Sequence, residues 1–342
     1  MLLQEANSGK ILMEENAGIE WPPASMTKMM LLLVADEQVE AGRFSLEDPV
    51  RVTERAAATG GSGIGLKPGD IYPLGELMKA ALIRSANDAA VAVAEKIAGS
   101  VEAMVWMMNQ RARELGLSNT EYGTVDGLPP RPAQDVDRTN AYDLAALGRT
   151  LVKRARLMSW TSQPLAPFGD GEMMLKNTNH LVGEFPGCDG LKTGFTSQAG
   201  FNLTATAKRG DMRLVAVVLG APSNKQRFAQ AARVMQWGFD HYEPLQVIRA
   251  GEPLPVNVRV GYGPVIQPVA ARDVKLVVAR GSASDIRLEY RVPPNIAGPL
   301  QSGATVGSVL VRERGEILTE VAAVCPIDVM PQSRIGPSIN GF

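Results

Sequence analysis

The sequence predicts an α+β protein: an antiparallel sheet carrying helices over residues 1–243, then a small all-β sandwich-like module over residues 250–330. Three observations carry this expectation. Short strands stand at the start of the chain and again after about residue 173, and helical spacing fills the stretch between them. Pro244, Gly251, Pro253 and Pro255 cluster within residues 242–255, where a domain boundary is expected. Beyond that cluster come short alternating strands with turn signals and almost no helix.

Residues 1–13 read as two short strands around the turn Asn7-Ser8-Gly9. Pro22, Pro23 and Ala24 mark a helix start, and the apolar run behind Lys28 reads as a buried helix ending over 36–42. Residues 45–54 are a connection. The glycine-rich loop at 60–65 lacks the closing Gly-Lys-Ser/Thr of a phosphate cradle, so it reads as a flexible rim loop and not a nucleotide site. Helical spacing recurs at 74–84 and 86–99, broken near Ser85, and again at 101–115 and 141–152. Met104, Met107 and Met108 in that set read as core filler. Residues 201–207 alternate, 212–220 form a buried strand, and the 208–211 turn closes them into a hairpin before a last helix over 226–238. In the second module strands are expected at 256–260, 274–279, 286–292, 305–312 and 316–323. The tail over 330–342 has prolines and glycines and no amphipathic pattern.

At 342 residues the chain is long enough for two domains and a large core. A net charge of −1 gives no reason to expect a nucleic-acid partner. No apolar run is long enough to span a bilayer, and no basic segment with an apolar stretch precedes the first strand, so neither a signal peptide nor a membrane anchor is expected in this sequence. Cys188 and Cys325 are far apart and outside any C-x-x-C spacing, which argues against a zinc or thiol redox site. With only His180 and His241 present, a Ser-His-Asp mechanism or a histidine metal centre would have to use one of them, and both read as surface or loop residues.

Three short motifs hold the chemistry. Ser25 and Lys28, three apart at a helix start, fall on one face and can touch. A desolvated lysine loses part of its preference for the charged form and can take the serine's proton; alone, the pair also reads as a cap and an ordinary helix cation. Ser85 and Asn87 stand at a break between helices, where a hydroxyl can relay a proton and an amide can bind a carbonyl, or where either simply caps a helix. Lys192-Thr193-Gly194 on an edge strand offers a cation and a hydroxyl to a carboxylate, with glycine allowing close approach, or is an ordinary strand–turn tripeptide.

Taken together and in this order, Ser-x-x-Lys, Ser-x-Asn and Lys-Thr-Gly are the triple signature of penicillin-recognising serine acyl-transferases. From Gln4 to about Val329 the chain resembles the low-molecular-weight penicillin-binding D-alanyl-D-alanine carboxypeptidases of the peptidase S11 type. Ala6-Asn7-Ser8-Gly9-Lys10, Leu66-Lys67-Pro68-Gly69-Asp70, Asp126-Gly127-Leu128, Lys176-Asn177-Thr178-Asn179 and Trp237-Gly238-Phe239 add to the likeness. The resemblance implies a β-lactamase/transpeptidase-like catalytic domain with an added β-domain. It implies Ser25 as nucleophile on a peptidoglycan stem peptide ending in D-Ala-D-Ala, Lys28 as base, Ser85 as proton relay and Asn87 as a ligand of substrate and Lys28. It further implies backbone N–H groups of Ser25 and Phe195 as the oxyanion hole, and Lys192, Thr193, Gly194 and Arg227 as the substrate carboxylate site. No metal or other cofactor is implied; β-lactam antibiotics are the expected covalent inhibitors, and the expected location is extracytoplasmic. Phe195 stands where many relatives have histidine. The nearest rivals are a D,D-endopeptidase, with the same residues and a different cleft, a class A-like β-lactamase and a non-catalytic cell-wall protein. The β-lactamase would need a deacylating glutamate; Glu95, Glu102, Glu114, Glu121, Glu172 and Glu184 are the candidates, none in a Glu-x-x-Leu-Asn context.

Overall fold

The structure, a computed structural model, describes residues 1–129, 136–171 and 173–330. Glu172 and the tail over 331–342 lie outside the described residues. The chain divides into two compact units, Met1–Asp240 and His241–Phe342.

The first unit opens with β1 (Leu2–Glu5), β2 (Ile11–Glu14), a 3-10 turn (Ala24–Thr27) and α1 (Lys28–Glu40). Next come β3 (Pro49–Arg51), α2 (Glu54–Ala57), β4 (Ile71–Pro73), α3 (Leu74–Ile83), α4 (Asn87–Ala98), α5 (Val101–Glu114), α6 (Ala141–Leu151) and α7 (Ala155–Thr161). It closes with β5 (Leu165–Phe168), β6 (Met173–Lys176), β7 (Cys188–Thr196), β8 (Gly200–Arg209), β9 (Met212–Ala221) and α8 (Asn224–His241). The main sheet has the order β2-β1-β9-β8-β7, antiparallel throughout. The N-terminal hairpin enters through the β1–β9 pair, with Leu2 opposite Val217 and Glu5 opposite Leu214. The sheet is thus built from both ends of the unit, as the sequence pattern required, and β7 with its Lys-Thr-Gly lies on an edge.

Leu214 and Val215 are neighbours in β9 and face opposite sides of the sheet. A Cβ on Gly238 of α8 would stand 2.8 Å from the side chains of Leu214 and Leu3, and one on Gly148 of α6 would stand 3.0 Å from Val215. Helices α8 and α6 therefore cover opposite faces, each seated through a glycine. α1 lies deeper. All residues from Lys28 to Asp36 are buried, which requires neighbours on every side of the helix. Its leucines and methionines share one core with α3, α4, α5 and α6, and each such side chain contributes roughly 1.5–3 kcal/mol on burial. Asp36, near its end, pairs with Arg154 at 2.6 Å and Arg156 at 2.7 Å.

The ribbons β3–β4 and β5–β6 and helix α7 were not read from the sequence, since strands of three or four residues show too little alternation to register.

In the second unit β10 (Tyr242–Ile248) pairs with β14 (Val274–Ala279). β11 (Val258–Val260), β12 (Val265–Ile266) and β16 (Asn295–Ile296) form a three-stranded sheet, and β13 (Val269–Ala270), β15 (Ile286–Arg291), β17 (Thr305–Glu313) and β18 (Glu316–Val324) a four-stranded one. Ile248, Val258, Val274, Val309 and Val321 from these sheets meet in one core. The stretch that begins the proline-rich boundary is therefore strand β10; its prolines had masked the alternation.

Candidate active site

Ser25 occupies the 3-10 turn and Lys28 begins α1, so the two side chains stack along one face as their spacing requires. The turn is held from outside. Asn202 Nδ2 donates to the Pro22 carbonyl at 2.9 Å and Trp21 Nε1 to the Ala199 carbonyl at 2.8 Å. Ala24, just before Ser25, has φ of +52°, a left-handed conformation that disfavours a non-glycine residue and persists only where the surroundings impose it.

Ser25 is half-buried and Lys28 is fully buried. Lys28 Nζ lies 3.1 Å from Ser25 Oγ, 2.7 Å from Asn87 Oδ1 and 2.6 Å from the Asp126 carbonyl oxygen. Burial lowers its pKa to about 8, against the opposing pull of the Asp126, Asp137 and Asp88 charges. Two of its three partners are oxygens that can only accept. Once the amine is neutral, its two hydrogens go to those shorter contacts, and its lone pair is left facing the serine hydroxyl.

The Asn87 amide is fixed in one orientation, because its Nδ2 donates to the Gly60 carbonyl at 2.8 Å. The 60–66 loop that supplies this carbonyl is not the flexible rim expected. The buried Asp88 carboxylate accepts the backbone N–H groups of Ile64, Gly65 and Leu66 at 3.0, 3.0 and 3.2 Å and holds the loop down. Gly61 has φ of +76°, and a Cβ there would stand 2.7 Å from Asn87 Nδ2, so glycine is needed for both reasons. Ser85 lies between α3 and α4, buried, with φ of +66°; its hydroxyl is not among the partners of Lys28.

The third wall is the turn over 123–128. Gly127 has φ of +78°, and a Cβ there would fall 1.9 Å from the Ala24 carbonyl oxygen, so this turn and the serine turn are in direct backbone contact. Thr124 Oγ1 accepts the Gly127 N–H at 2.9 Å. The buried Asp137 carboxylate accepts Thr27 Oγ1 at 2.7 Å, the N–H groups of Gly123 and Thr124 at 2.7 and 2.8 Å, and Thr124 Oγ1 at 2.8 Å.

β7 closes the site. A Cβ on Gly194 would stand 2.5 Å from the Pro23 carbonyl oxygen and 3.2 Å from Ala24 Cβ, so glycine lets the strand lie against the serine turn. Lys192 is fully buried, with Nζ 3.0 Å from the Thr193 carbonyl. Burial lowers its pKa well below the ordinary value, and the Lys28 and Arg227 charges lower it further. Thr193 Oγ1 donates to Thr178 Oγ1 at 2.8 Å. Arg227 reaches from α8 to the carbonyls of Gly194 and Asn202 at 3.0 and 3.1 Å, and burial pulls its pKa down to about 10. The Phe195 ring is 54% exposed and rests on Phe201 at 4.3 Å between centroids.

Of the residues singled out in the sequence, Ser25, Lys28 and Asn87 are joined by direct hydrogen bonds, and Gly194 packs on the serine turn with Arg227 behind it. Asp88, Thr124, Asp137 and Asn202 were missed. Asp88, Asp137 and Asn202 act through backbone groups of segments distant in sequence, Thr124 acts within its own turn, and only the Asp126-Gly127 pair hinted at that turn. Among the described candidate glutamates, Glu95 accepts from Thr53, and Glu102, Glu114 and Glu121 are paired with Arg55, Arg111 and Arg138. Glu184 is exposed. His180 is also exposed and stacks on Phe228.

Comparison with known proteins places this geometry. A family model described as D-alanyl-D-alanine carboxypeptidase, peptidase S11, matches residues 1–223. The chain belongs to this family. A second model, the C-terminal domain of penicillin-binding protein 5, matches residues 242–330. D-alanyl-D-alanine carboxypeptidase DacF of Bacillus subtilis is 36% identical, over 93% of this chain and 82% of its own length. DacC of Escherichia coli is 34% identical, over 93% and 81%. Penicillin-binding protein 5 of Haemophilus influenzae superposes with a TM-score of 0.83 at 30% identity, over 96% of each chain. A penicillin-binding protein of Listeria monocytogenes solved with ampicillin bound superposes with a TM-score of 0.64 at 29% identity, over 70% of this chain and 95% of its own. The chain is accordingly a serine-type D-alanyl-D-alanine carboxypeptidase, a hydrolase of the penicillin-binding class. Among the described residues no helix is long and apolar enough to cross a membrane.

Proposed function

We propose that Ser25 removes the terminal D-alanine of peptidoglycan stem pentapeptides through an acyl-enzyme. The observation that carries this reading is the 3.1 Å contact between Ser25 Oγ and a buried lysine whose other two partners only accept. In the first half-reaction the proton of Ser25 Oγ passes to neutral Lys28, Oγ bonds to the carbonyl carbon between the two D-alanines, and negative charge develops on the carbonyl oxygen. Backbone N–H groups of Ser25 and Phe195 stabilise that oxygen, and losing one such donor typically costs about 10²–10³ in rate. The C–N bond then breaks. Ser85 passes a proton to the departing amine, and free D-alanine leaves. Water hydrolyses the ester in the second half-reaction.

Asn87 orients Lys28 through Oδ1 and keeps a second amide hydrogen for a substrate carbonyl. Lys192 and Thr193 bind the terminal carboxylate, Gly194 gives the peptide access to the strand, and Arg227 supports that pocket from behind. Lys192 gains a full counter-charge when the carboxylate arrives, which raises its proton affinity towards the ordinary value. A β-lactam enters by the same attack of Ser25 on its ring carbonyl and stays as an ester. With this substrate the enzyme works on the cell-wall side of the membrane.

Two measurements test the reading. Fluorescent penicillin should label the wild type and not Ser25→Ala; equal labelling of both removes Ser25 from its role. Product analysis on a pentapeptide should show free D-alanine, whereas cleavage confined to crosslinked dimers would make the enzyme an endopeptidase.

A further inference from the structure

We propose that Asp137 is the positioning residue and fixed counter-charge of the general base: it locks the turn whose Asp126 carbonyl orients Lys28, and its ionised carboxylate sets how readily that amine gives up its proton. The inference rests on the reading of Ser25 as nucleophile and Lys28 as base.

The geometry is that of a clamp. Oδ1 of Asp137 accepts the N–H groups of Gly123 and Thr124, and Oδ2 accepts the hydroxyls of Thr27 and Thr124. Thr27 lies in the serine turn, next to Lys28. Thr124 lies at the start of the opposing turn, where its hydroxyl also accepts the Gly127 N–H. One carboxylate therefore ties both walls of the catalytic pair, and Gly127 meets the Ala24 carbonyl between them. Between those walls Lys28 reaches the Asp126 carbonyl at 2.6 Å, its shortest contact.

The two backbone N–H groups on Oδ1 can only donate, and Thr124 Oγ1, which already accepts the Gly127 N–H, donates to Oδ2, so these bonds favour the ionised carboxylate. Burial holds the Asp137 carboxyl above the ordinary carboxylate range, even with these four bonds pulling against it. The charged groups acting on Lys28 from the surrounding elements are Asp126 and Asp137 from the 123–137 segment, Asp88 from α4 and Lys192 from β7. Asp126 and Asp88 are spoken for locally: Asp126 Oδ1 accepts the Leu128 N–H, and Asp88 holds the 64–66 loop. Asp137 alone bonds to the serine turn itself.

The test is the rate of acylation by a fluorescent penicillin, followed from pH 5 to 10 for wild type, Lys28→Ala, Asp137→Asn and Thr27→Val. Asp137→Asn removes the charge at constant size, so the acid limb should move down by roughly half a pH unit or more while the plateau falls at least threefold. A residue that only supported the fold would lower the plateau and leave the limb in place. Thr27→Val keeps the charge and removes one strut: the plateau should fall, with the limb at its wild-type position. An unmoved limb in a folded Asp137→Asn protein overturns the counter-charge, and an unchanged plateau in Thr27→Val overturns the clamp, which stays testable if Asp137→Asn does not fold. If Lys28→Ala acylates at the wild-type rate, it is the base assignment itself that fails.

Discussion

Asn87→Asp tests the Lys28 base with almost no change in shape. Asn87 Oδ1 is 2.7 Å from Lys28 Nζ, and Nδ2 is 2.8 Å from the Gly60 carbonyl. The substitution puts a full negative charge in contact with the amine and faces a second acceptor towards Gly60. An opposite charge at this range favours the charged form of a lysine by about 1–3 pH units. Starting from a pKa of about 8, Lys28 would then titrate between about 9 and 11. The neutral fraction at pH 7, roughly one in ten in the wild type, would fall to between about one in a hundred and one in ten thousand. Acylation by fluorescent penicillin at pH 7 should slow about tenfold to a thousandfold, with partial recovery as the pH is raised to 10. Asn87→Ala removes the acceptor without adding charge, so its deficit relative to wild type should not shrink as the pH is raised. An Asn87→Asp enzyme that acylates within about threefold of wild type at pH 7, or whose acid limb stays in place, would refute the reasoning.

In the wild type, acylation should rise about tenfold between pH 7 and 9 and then level off; a flat profile would mean that Lys28 does not titrate as the base. The folded pKa of Lys28 lies below its unfolded value of about 10.5, so the unfolded chain holds more protons between those limits. Its contribution to stability should therefore grow as the pH rises from about 8 to 10.5, measurable as a difference in denaturant midpoint against Lys28→Met. Gly194→Ala forces β7 away from the serine turn, and should cost about 10²-fold in acylation and roughly 1–3 kcal/mol in stability; wild-type acylation would show that the strand can yield without harm. Asp36→Ala strips the shared partner of Arg154 and Arg156 and should lower stability by about 2–4 kcal/mol in urea titration, with acylation unchanged.

The long helices and strands were legible because each repeats its apolar period over two turns or more, and the sheet built from both ends followed from where the strands stood. Ser25, Lys28 and Asn87, which direct hydrogen bonds join, stood out together with Ser85 and the Lys-Thr-Gly strand because the order of the three motifs is specific. What stayed hidden works through the main chain. Asp88 binds three consecutive loop N–H groups, Asp137 binds two and a pair of hydroxyls, and the Asp126 carbonyl is a peptide oxygen that any residue would supply. A carboxylate that acts as a bracket for backbone has no fixed spacing from what it holds, so it leaves no motif. The glycine loop at 60–65 misled for the same reason: its own residues are permissive, and the group that immobilises it lies in α4.

The antiparallel pairing of β1 with β9 also fixes when the enzyme comes into being. Leu2 finds its partner only when Val217 exists, and the serine turn is braced by Asn202, Ala199 and Gly194. Ser25 is made well over a hundred residues before Gly194, Ala199 and Asn202, the braces that β7, β8 and the turn between them supply. Contacts so distant in sequence form slowly, since the loop between them must close before they reward it. Reactivity towards penicillin is therefore a late event in the life of the chain, and a nascent chain stopped short of β8 would contain both Ser25 and Lys28 without a nucleophile.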